Sequence, residues 1–135
     1  MTELAPTDKT LTYGAVIASG DAVVENNLVA DNVETASGAE YGCVAQGSAT
    51  FLHNCAKNAA GLPGEGNVEA AGAVYRVRGG VVESSASSPC HDAGRNEDWM
   101  AEATGLYGRP RLFGKRVDIG AAECQAGAGT VILLR

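Results

Sequence analysis

The sequence predicts an all-β fold in which short strands stack in successive coils. Three observations support this fold class: a repeat of 27 residues, short apolar runs separated by turn residues, and a composition rich in small side chains. The chain of 135 residues contains 18 glycines, and only 5% of its residues are aromatic. Such a composition suits a narrow interior with many tight turns better than an ordinary thick core. The length is that of a single domain.

The repeat is found when the segment that begins at Gly14 is set over the segment that begins at Tyr41. Identical pairs are Ala18 with Ala45, Gly20 with Gly47, Ala22 with Ala49 and Asn27 with Asn54, and apolar pairs are Val16 with Cys43, Ile17 with Val44, Val24 with Phe51 and Leu28 with Cys55. A period of this length indicates a stacked repeat. No long stretch has the 3.6-residue apolar period of a helix, so the repeat unit is built from strands.

Strand and turn signals alternate along the chain. The apolar runs AVI, AVV, NLVA, GCVA, TFL, AVYRV and GVVE are separated by Gly, Asn, Asp and Ser. Residues 75–78 and 116–119 alternate with period two, and the terminal GTVILLR predicts a last strand. Three short strands and three turns fit one repeat, which predicts a parallel β-helix. We expect Asn27 and Asn54 at equivalent bends, because Asn tolerates left-handed backbone and caps its own turn.

Three elements follow in order in the second half: SPCHDAG at 88–94, GLYGRPR at 105–111 and VDIGAAE at 117–123. This order resembles the C-terminal end of bacterial right-handed parallel β-helix proteins, the pectin-lyase-like repeat proteins, many of which are large and secreted or surface-anchored. Gly105 stands where that family usually has Asp, and Ala122 where it usually has an aromatic residue. The resemblance covers about residues 61–124 and implies a short right-handed parallel β-helix of about three coils with a C-terminal cap.

The resemblance also implies a division of the chain into three regions. These are an N-terminal arm or cap over residues 1–12, β-helix coils over 13–94, and a capping loop with closing strands over 95–135. The implied structural cap residues are Pro89, Asp92, Gly94, Arg109, Arg111, Asp118, Gly120 and Glu123. An extracellular or cell-surface location follows from the family, although the polar start of this chain predicts no signal peptide.

Individual roles can be assigned to these cap residues. Pro89 would fix the entry to the turn, and Asp92 would accept backbone N–H groups or pair with Arg111. Gly94 would adopt a backbone conformation that other residues resist. Asp118 and Glu123 would pair with an arginine at position 109, 111 or 116.

Cys90, His91 and Asp92 are the residue types of a cysteine-nucleophile triad. Adjacent residues in an extended chain point to opposite faces, so we expect no catalytic residue here. The four cysteines form no CxxC pair, and we expect neither a metal nor another cofactor. The repeat places Cys43 and Cys55 inward as small apolar side chains. Cys90 and Cys124 flank the cap and could form a disulfide in an exported protein.

Two further places bear on ligand binding. His53 aligns with Asn26, a polar outward position, so it is expected to be a solvent-facing turn residue. Trp99 follows Glu97 and Asp98, and an aromatic ring beside carboxylates can line a sugar site. The alternative interpretation is that Trp99 and the following Met100 plug the end of the stack.

The net charge of −6 argues against nucleic acid as a partner, and no segment is long and apolar enough for a membrane span. We therefore expect a non-catalytic β-helix module with a structural or interaction role, contacting carbohydrate or protein. It would form a homo-oligomer through the open N-terminal end of the stack. The alternative is a carbohydrate-active enzyme, a polysaccharide lyase or glycoside hydrolase. Glu25 aligns with Leu52 and Asp21 with Ser48, so no ladder of carboxylates supports it.

Overall fold

The computed structural model describes residues 14–124, which fold into short strands, turns and loops. The strands are β1 (Val16–Ala18), β2 (Val23–Glu25), β3 (Leu28–Val29), β4 (Cys43–Ala45), β5 (Thr50–Leu52), β6 (Cys55–Ala56), β7 (Val68–Glu69), β8 (Arg76–Arg78) and β9 (Val81–Glu83). Two short 3-10 helices span Ala59–Gly61 and Asp98–Ala101. The all-β class is confirmed, and no helix in residues 14–124 has the length and apolarity of a membrane span. The arm expected over 1–12 and the strand expected in the terminal GTVILLR lie outside these residues.

The 27-residue repeat sets the register of three parallel strand pairs. β1 lies beside β4, β2 beside β5 and β3 beside β6, and each residue pairs with the one 27 positions later. Val24 thus pairs with Phe51 and Leu28 with Cys55, as the sequence alignment predicts. Because equivalent positions stack, Cys55 and Phe51 are fully buried and Cys43 is 8% exposed. The prediction that Cys43 and Cys55 point inward is confirmed.

The regular repeat ends after β6. β7 pairs with β6 in parallel, but Val68 follows its partner Cys55 by 13 residues rather than 27. β8 and β9 then form an antiparallel hairpin joined by Gly79 and Gly80, with φ of 58° and 79°. Two successive positive φ values are what a two-residue hairpin turn requires. The strand expected at residues 75–78 is present, but its antiparallel pairing differs from the parallel coils that we expected throughout 13–94.

Residues 117–123 contain no strand, although their apolar alternation predicts one. Successive backbone N–H groups bond to unrelated acceptors, so no ladder to a single neighbour forms. The pairs are Val117 to Asn96 Oδ1, Asp118 to Glu123 Oε2, Ile119 to the Cys90 carbonyl and Gly120 to the Asn26 carbonyl. The segment bends at residues 119–122 and is held by side chains and loops.

The core consists of two clusters. The first lies between the parallel pairs around Phe51 and includes Ala18, Val29, Cys43, Ala49 and Ala56. The second joins the stack to the C-terminal segment through Cys55, Val74, Cys90 and Ile119. Burial of this second cluster therefore depends on both halves of the chain.

Asn54 is the fully buried polar residue at the turn between β5 and β6. Its Oδ1 accepts the backbone and side-chain N–H groups of Asn27 at 3.0 and 3.2 Å, and its Nδ2 donates to the Val24 carbonyl at 2.8 Å. Asn67 continues the row, because its Oδ1 accepts the Asn54 backbone N–H at 3.0 Å. Three stacked amides thus satisfy the backbone groups that these turns leave unpaired.

The expected equivalence of Asn27 and Asn54 is found, since each Nδ2 donates to the carbonyl two residues earlier. The left-handed backbone is one position earlier than we expected. It belongs to Asn26 (φ 58°) and His53 (φ 52°), again 27 residues apart. Because the preceding residue makes the bend, the side-chain amides of Asn27 and Asn54 can form hydrogen bonds between neighbouring rows.

Asn54→Ala should lower the free energy of unfolding by about 2–4 kcal/mol, because it leaves several buried backbone groups without a partner. Asn27→Ala is the matched control at the exposed end of the row and should cost about 1 kcal/mol or less. Urea unfolding followed by circular dichroism measures both. Equal small losses would mean that the stacked amides do not stabilise the fold.

Candidate functional site

The candidate site is organised around the turn at Asn26. The Asn26 side chain forms hydrogen bonds with both the N–H and the C=O of Arg95. Nδ2 donates to the Arg95 carbonyl at 2.9 Å, and Oδ1 accepts the Arg95 N–H at 2.7 Å. The Asn26 carbonyl accepts the Gly120 N–H at 2.9 Å. A single turn of the stack therefore holds two segments that lie far along the chain.

His53 holds the same C-terminal segment one row further along. Its Nδ1 lies 3.0 Å from the Ala93 carbonyl oxygen, and its ring is half-buried against Gly66. The expectation of a fully solvent-facing His53 is therefore wrong. Because Asn26 and His53 are equivalent positions in neighbouring rows, residues 93–95 run across the rows.

A cleft of about 470 Å³ lies where these segments meet. Its walls are residues 25–28 of the stack, 82–84 of the hairpin, and parts of 97–100 and 119–122. Trp99 lines the cleft and remains 61% exposed, whereas the neighbouring Met100 is 3% exposed. Trp99 is therefore not a buried plug, whereas Met100 is buried. Glu97 also lines the cleft, but Asp98, the third residue proposed for ligand contact, does not.

Two carboxylates meet in this cleft, Glu25 from β2 and Glu97 from the C-terminal loop. Arg95 Nε lies 3.4 Å from Glu25 Oε1 and 3.3 Å from Glu97 Oε1. Burial raises the pKa of Glu25, and the Glu97 charge raises it further, against the opposing effect of Arg95. Glu25 Oε1 is buried and accepts no hydrogen bond from the described residues.

Sequence reasoning missed Glu25 because its repeat partner is Leu52, which gave no sign of a carboxylate site. The position of Glu25 beside Glu97 depends on the contact between Asn26 and Arg95, which are 69 residues apart. No local pattern signals such a contact. Trp99 and Glu97 could be found because they are neighbours in sequence.

A second charged cluster surrounds the buried Glu83 at the end of the hairpin. Arg109 Nη1 lies 2.7 Å from Glu83 Oε2, and Arg76 Nη2 and Arg78 Nη2 each lie 3.1 Å from Glu83 Oε1. Burial acts to raise the pKa of Glu83, but the hydrogen bonds and charges of Arg109 and Arg76 outweigh it and lower the pKa. Arg109 therefore pairs with Glu83. Of the three arginines considered as partners of Asp118 and Glu123, Arg109 is not the one that pairs with either.

Asp118 is the acceptor that organises the C-terminal turn. Its Oδ1 accepts the Asp92 N–H at 2.8 Å, and its Oδ2 accepts the Cys124 N–H at 2.7 Å and the Ser84 hydroxyl at 2.5 Å. This role had been assigned to Asp92, whose carboxylate is instead half-exposed beside His91 Nε2 at 3.3 Å. Asp92 contributes its left-handed backbone (φ 52°) to the turn.

The other residues of the turn serve close packing. Pro89 lies inside a turn closed by the bond from the His91 N–H to the Ser88 carbonyl, which suits its fixed φ. Gly94 is needed for space and not for a left-handed conformation, because a Cβ there would lie 2.7 Å from Val117 Cγ2.

Two further residues complete this region. Gly120 adopts a φ of 116°, which favours glycine. Arg116 Nε donates to the Gly94 carbonyl at 2.8 Å, so it pairs with a backbone group and not with a carboxylate.

His91, Asp92 and Asp118 are a group of described residues that could hold a metal ion, since their ligand atoms lie within 4.8 Å of one another. His91 Nδ1 lies 3.3 Å from Asp118 Oδ1. Both Asp118 oxygens already accept hydrogen bonds, which supports an organising role. Cys90 takes no part, because its fully buried thiol packs beside Cys55 in the core. The three triad residue types therefore do not converge.

Arg111 and Glu123 form a buried pair, with 3.4 Å between Arg111 Nη1 and Glu123 Oε1. This is one of the pairings that the resemblance implies for Glu123. Burial raises the pKa of Glu123 to about 8, and the Asp118 charge acts in the same direction; the Asp118 N–H and Arg111 oppose the rise. Glu123 Oε2 accepts that N–H at 2.7 Å.

In comparisons with family models, curated proteins and solved structures, nothing matches the chain.

The raised pKa of Glu123 should make stability depend on pH. Between its unfolded value of 4.5 and its folded value of about 8, the folded state holds a proton that the unfolded state lacks. The resulting stabilisation is complete below pH 4.5 and is lost as the pH rises towards 8. Its loss between pH 5 and pH 8 should be about 2–4 kcal/mol in urea unfolding.

Glu123→Gln should remove this contribution to the pH dependence, because an amide does not titrate. Glu102→Gln, on the exposed surface, should keep the wild-type slope. A Glu123→Gln protein with the wild-type slope would show that another group is responsible.

Proposed function

We propose that this chain is a short right-handed parallel β-helix module without catalytic activity, and that its cleft beside Trp99 binds carbohydrate. The β-helix part is supported by three parallel strand pairs in one register and by the stacked amides of Asn27, Asn54 and Asn67. The sequence resemblance to pectin-lyase-like repeat proteins supports it independently. An extracellular or cell-surface location belongs to the same proposal.

The observation that carries the carbohydrate part is the exposed Trp99 ring over a cleft containing two carboxylates. A large aromatic ring that remains 61% exposed provides an apolar face on which the C–H groups of a sugar ring can stack. Glu25 and Glu97 provide oxygen acceptors for sugar hydroxyl groups. Apolar surface with a few convergent polar groups is the general character of a small-molecule site.

The charges favour a neutral or hydroxyl-rich sugar over an acidic one. The chain carries a net charge of −6, and three glutamates line the cleft. Glu83 pairs with three arginines, whereas the pair Glu25 and Glu97 shares Arg95 as a cation. A carboxylated sugar would bring a further negative charge towards this pair. We therefore expect neutral oligosaccharides to bind more tightly than uronic acid polymers.

The alternative function is a glycoside hydrolase, favoured by the raised pKa of Glu25 beside a second carboxylate. Glycosidases place their two carboxyl groups about 5–10 Å apart, on either side of the scissile bond. Here Glu25 Oε1 and Glu97 Oε1 both lie within 3.4 Å of the same Arg95 Nε. The Arg95 guanidinium thus occupies the space between the two carboxyls, which supports binding over hydrolysis.

Titration with neutral hexasaccharides such as cellohexaose and maltohexaose should change the tryptophan emission. Trp99 is the chain's single tryptophan, so its fluorescence reports on this cleft alone. We expect a Kd on the order of 0.1–1 mM for the preferred sugar. Calorimetry should show that Trp99→Ala binds the sugar about tenfold or more weakly, because the stacking face is removed.

Phe113→Ala is the matched control, since Phe113 is an exposed aromatic residue outside the cleft and its removal should leave the Kd unchanged. Absence of binding across the panel, or equal losses in both variants, would contradict a sugar site at Trp99. Release of reducing sugar that Glu25→Gln abolishes would favour the hydrolase instead.

We also propose a homo-oligomer formed through the open end of the stack. Among residues 14–124, no strand pairs with the outer edges of β1, β2 and β3. Unpaired strand edges are templates for another chain. Light scattering should give a multiple of the 13.7 kDa chain mass, and a monomer mass at all concentrations would contradict the oligomer.

A further inference from the structure

The second core cluster brings together two thiols from distant parts of the chain. Cys55 lies in β6, whose residues pair with both β3 and β7, and Cys90 lies in the turn at residues 88–94. Both are fully buried and belong to the same cluster with Val74 and Ile119. Each thiol shifts the pKa of the other, which is the mutual effect of neighbouring thiols in one cluster.

The other two cysteines are not members of this cluster. Cys43 belongs to the first core cluster, around Phe51. Cys124 is buried, but its backbone N–H is held by Asp118 and it is not part of the cluster that contains Cys90. The geometry thus favours Cys55 over Cys124 as the partner of Cys90. All four cysteines are free in this structure.

We propose that Cys55 and Cys90 form a disulfide when the folding chain meets a small-molecule disulfide such as oxidised glutathione. One protein thiolate attacks the glutathione disulfide and releases one glutathione thiolate. The second protein thiolate then attacks the mixed disulfide and releases the other. The two thiols lose two electrons and two protons in total, and oxidised glutathione becomes two molecules of reduced glutathione.

Either thiol can be the initial nucleophile. The thiolate is the attacking species. Because both sulfurs are fully buried in the folded chain, exchange takes place during folding or during transient opening of the turn.

The bond would fasten the C-terminal turn to the middle of the strand stack. Residues 88–94 lead directly into Arg95 and the loop that carries Glu97 and Trp99. The disulfide would close a loop of 35 residues between positions 55 and 90. It would thus favour the arrangement in which the cleft exists, independently of whether the ligand is a sugar.

The experiment refolds the full chain in glutathione buffers that range from fully reduced to fully oxidised. Free thiols are blocked by alkylation, and the linked peptides are identified by mass spectrometry. We expect one intramolecular disulfide, joining the peptides that contain Cys55 and Cys90. The melting temperature should rise on the order of 10 °C in the oxidised protein.

The double variant Cys43→Ala/Cys124→Ala keeps the proposed pair and should show the same disulfide and the same rise. Cys90→Ala removes the pair and should show neither. Peptide mapping of the wild-type protein remains decisive even if a variant fails to fold. A bond that includes Cys43 or Cys124, or glutathione attached to single cysteines without an internal bond at the most oxidising ratio, would overturn the proposal.

Discussion

The bond between the Asn26 side chain and the Arg95 peptide is the contact on which the site depends. The amide of Asn26 matches both the N–H and the C=O of Arg95, so one side chain fixes the position and direction of the incoming segment. Asn26 has a left-handed backbone, a conformation that Asn tolerates better than most residues. Glu25 precedes this residue directly, and Glu97 lies two residues after Arg95. The carboxylate pair of the cleft is therefore a consequence of one long-range contact.

The two halves of the chain are stabilised by different interactions. In the first half, equivalent residues stack 27 positions apart, and backbone pairing with the Asn54 amide satisfies the polar groups. In the second half, buried carboxyl groups satisfy the polar groups instead. Asp118 accepts backbone N–H groups, Glu83 gathers three arginines, and Glu123 pairs with Arg111. Buried polar and charged groups are tolerated only when they are hydrogen-bonded or paired, so these contacts specify one arrangement of residues 84–124, which contain no strand.

The repeat could be predicted because the strand register and the side-chain pattern have the same period. Once Val24 was aligned with Phe51 and Leu28 with Cys55, the parallel pairing and the burial of Cys43 and Cys55 followed. The same reasoning failed at residues 117–123, where alternating apolar residues are equally compatible with extended chain. Whether such a segment is a strand depends on where its N–H groups find acceptors, and here the acceptors come from distant side chains and loops.

The site was only half predictable for a related reason. Trp99 and Glu97 are close in sequence, so their common position in the cleft could be anticipated. Glu25 could not, since 72 positions separate it from Glu97 and the repeat offers no carboxylate opposite it. Asp92 and Asp118 show the same limit, because both were expected to be cap residues but only Asp118 is buried among the N–H groups. Residue type indicated the chemistry, and long-range contacts decided which residue performs it.

Hydrogen exchange of the Arg95 amide in the wild-type protein and in Asn26→Gly is the most direct measurement of this account. Glycine keeps the left-handed backbone and removes the side-chain amide. We expect the Arg95 amide to exchange at least about tenfold faster in the variant, the equivalent of a lost hydrogen bond of about 1.4 kcal/mol, while the Thr50 amide between β2 and β5 stays protected. Equal protection of Arg95 in both proteins would contradict the claim that Asn26 assembles the cleft.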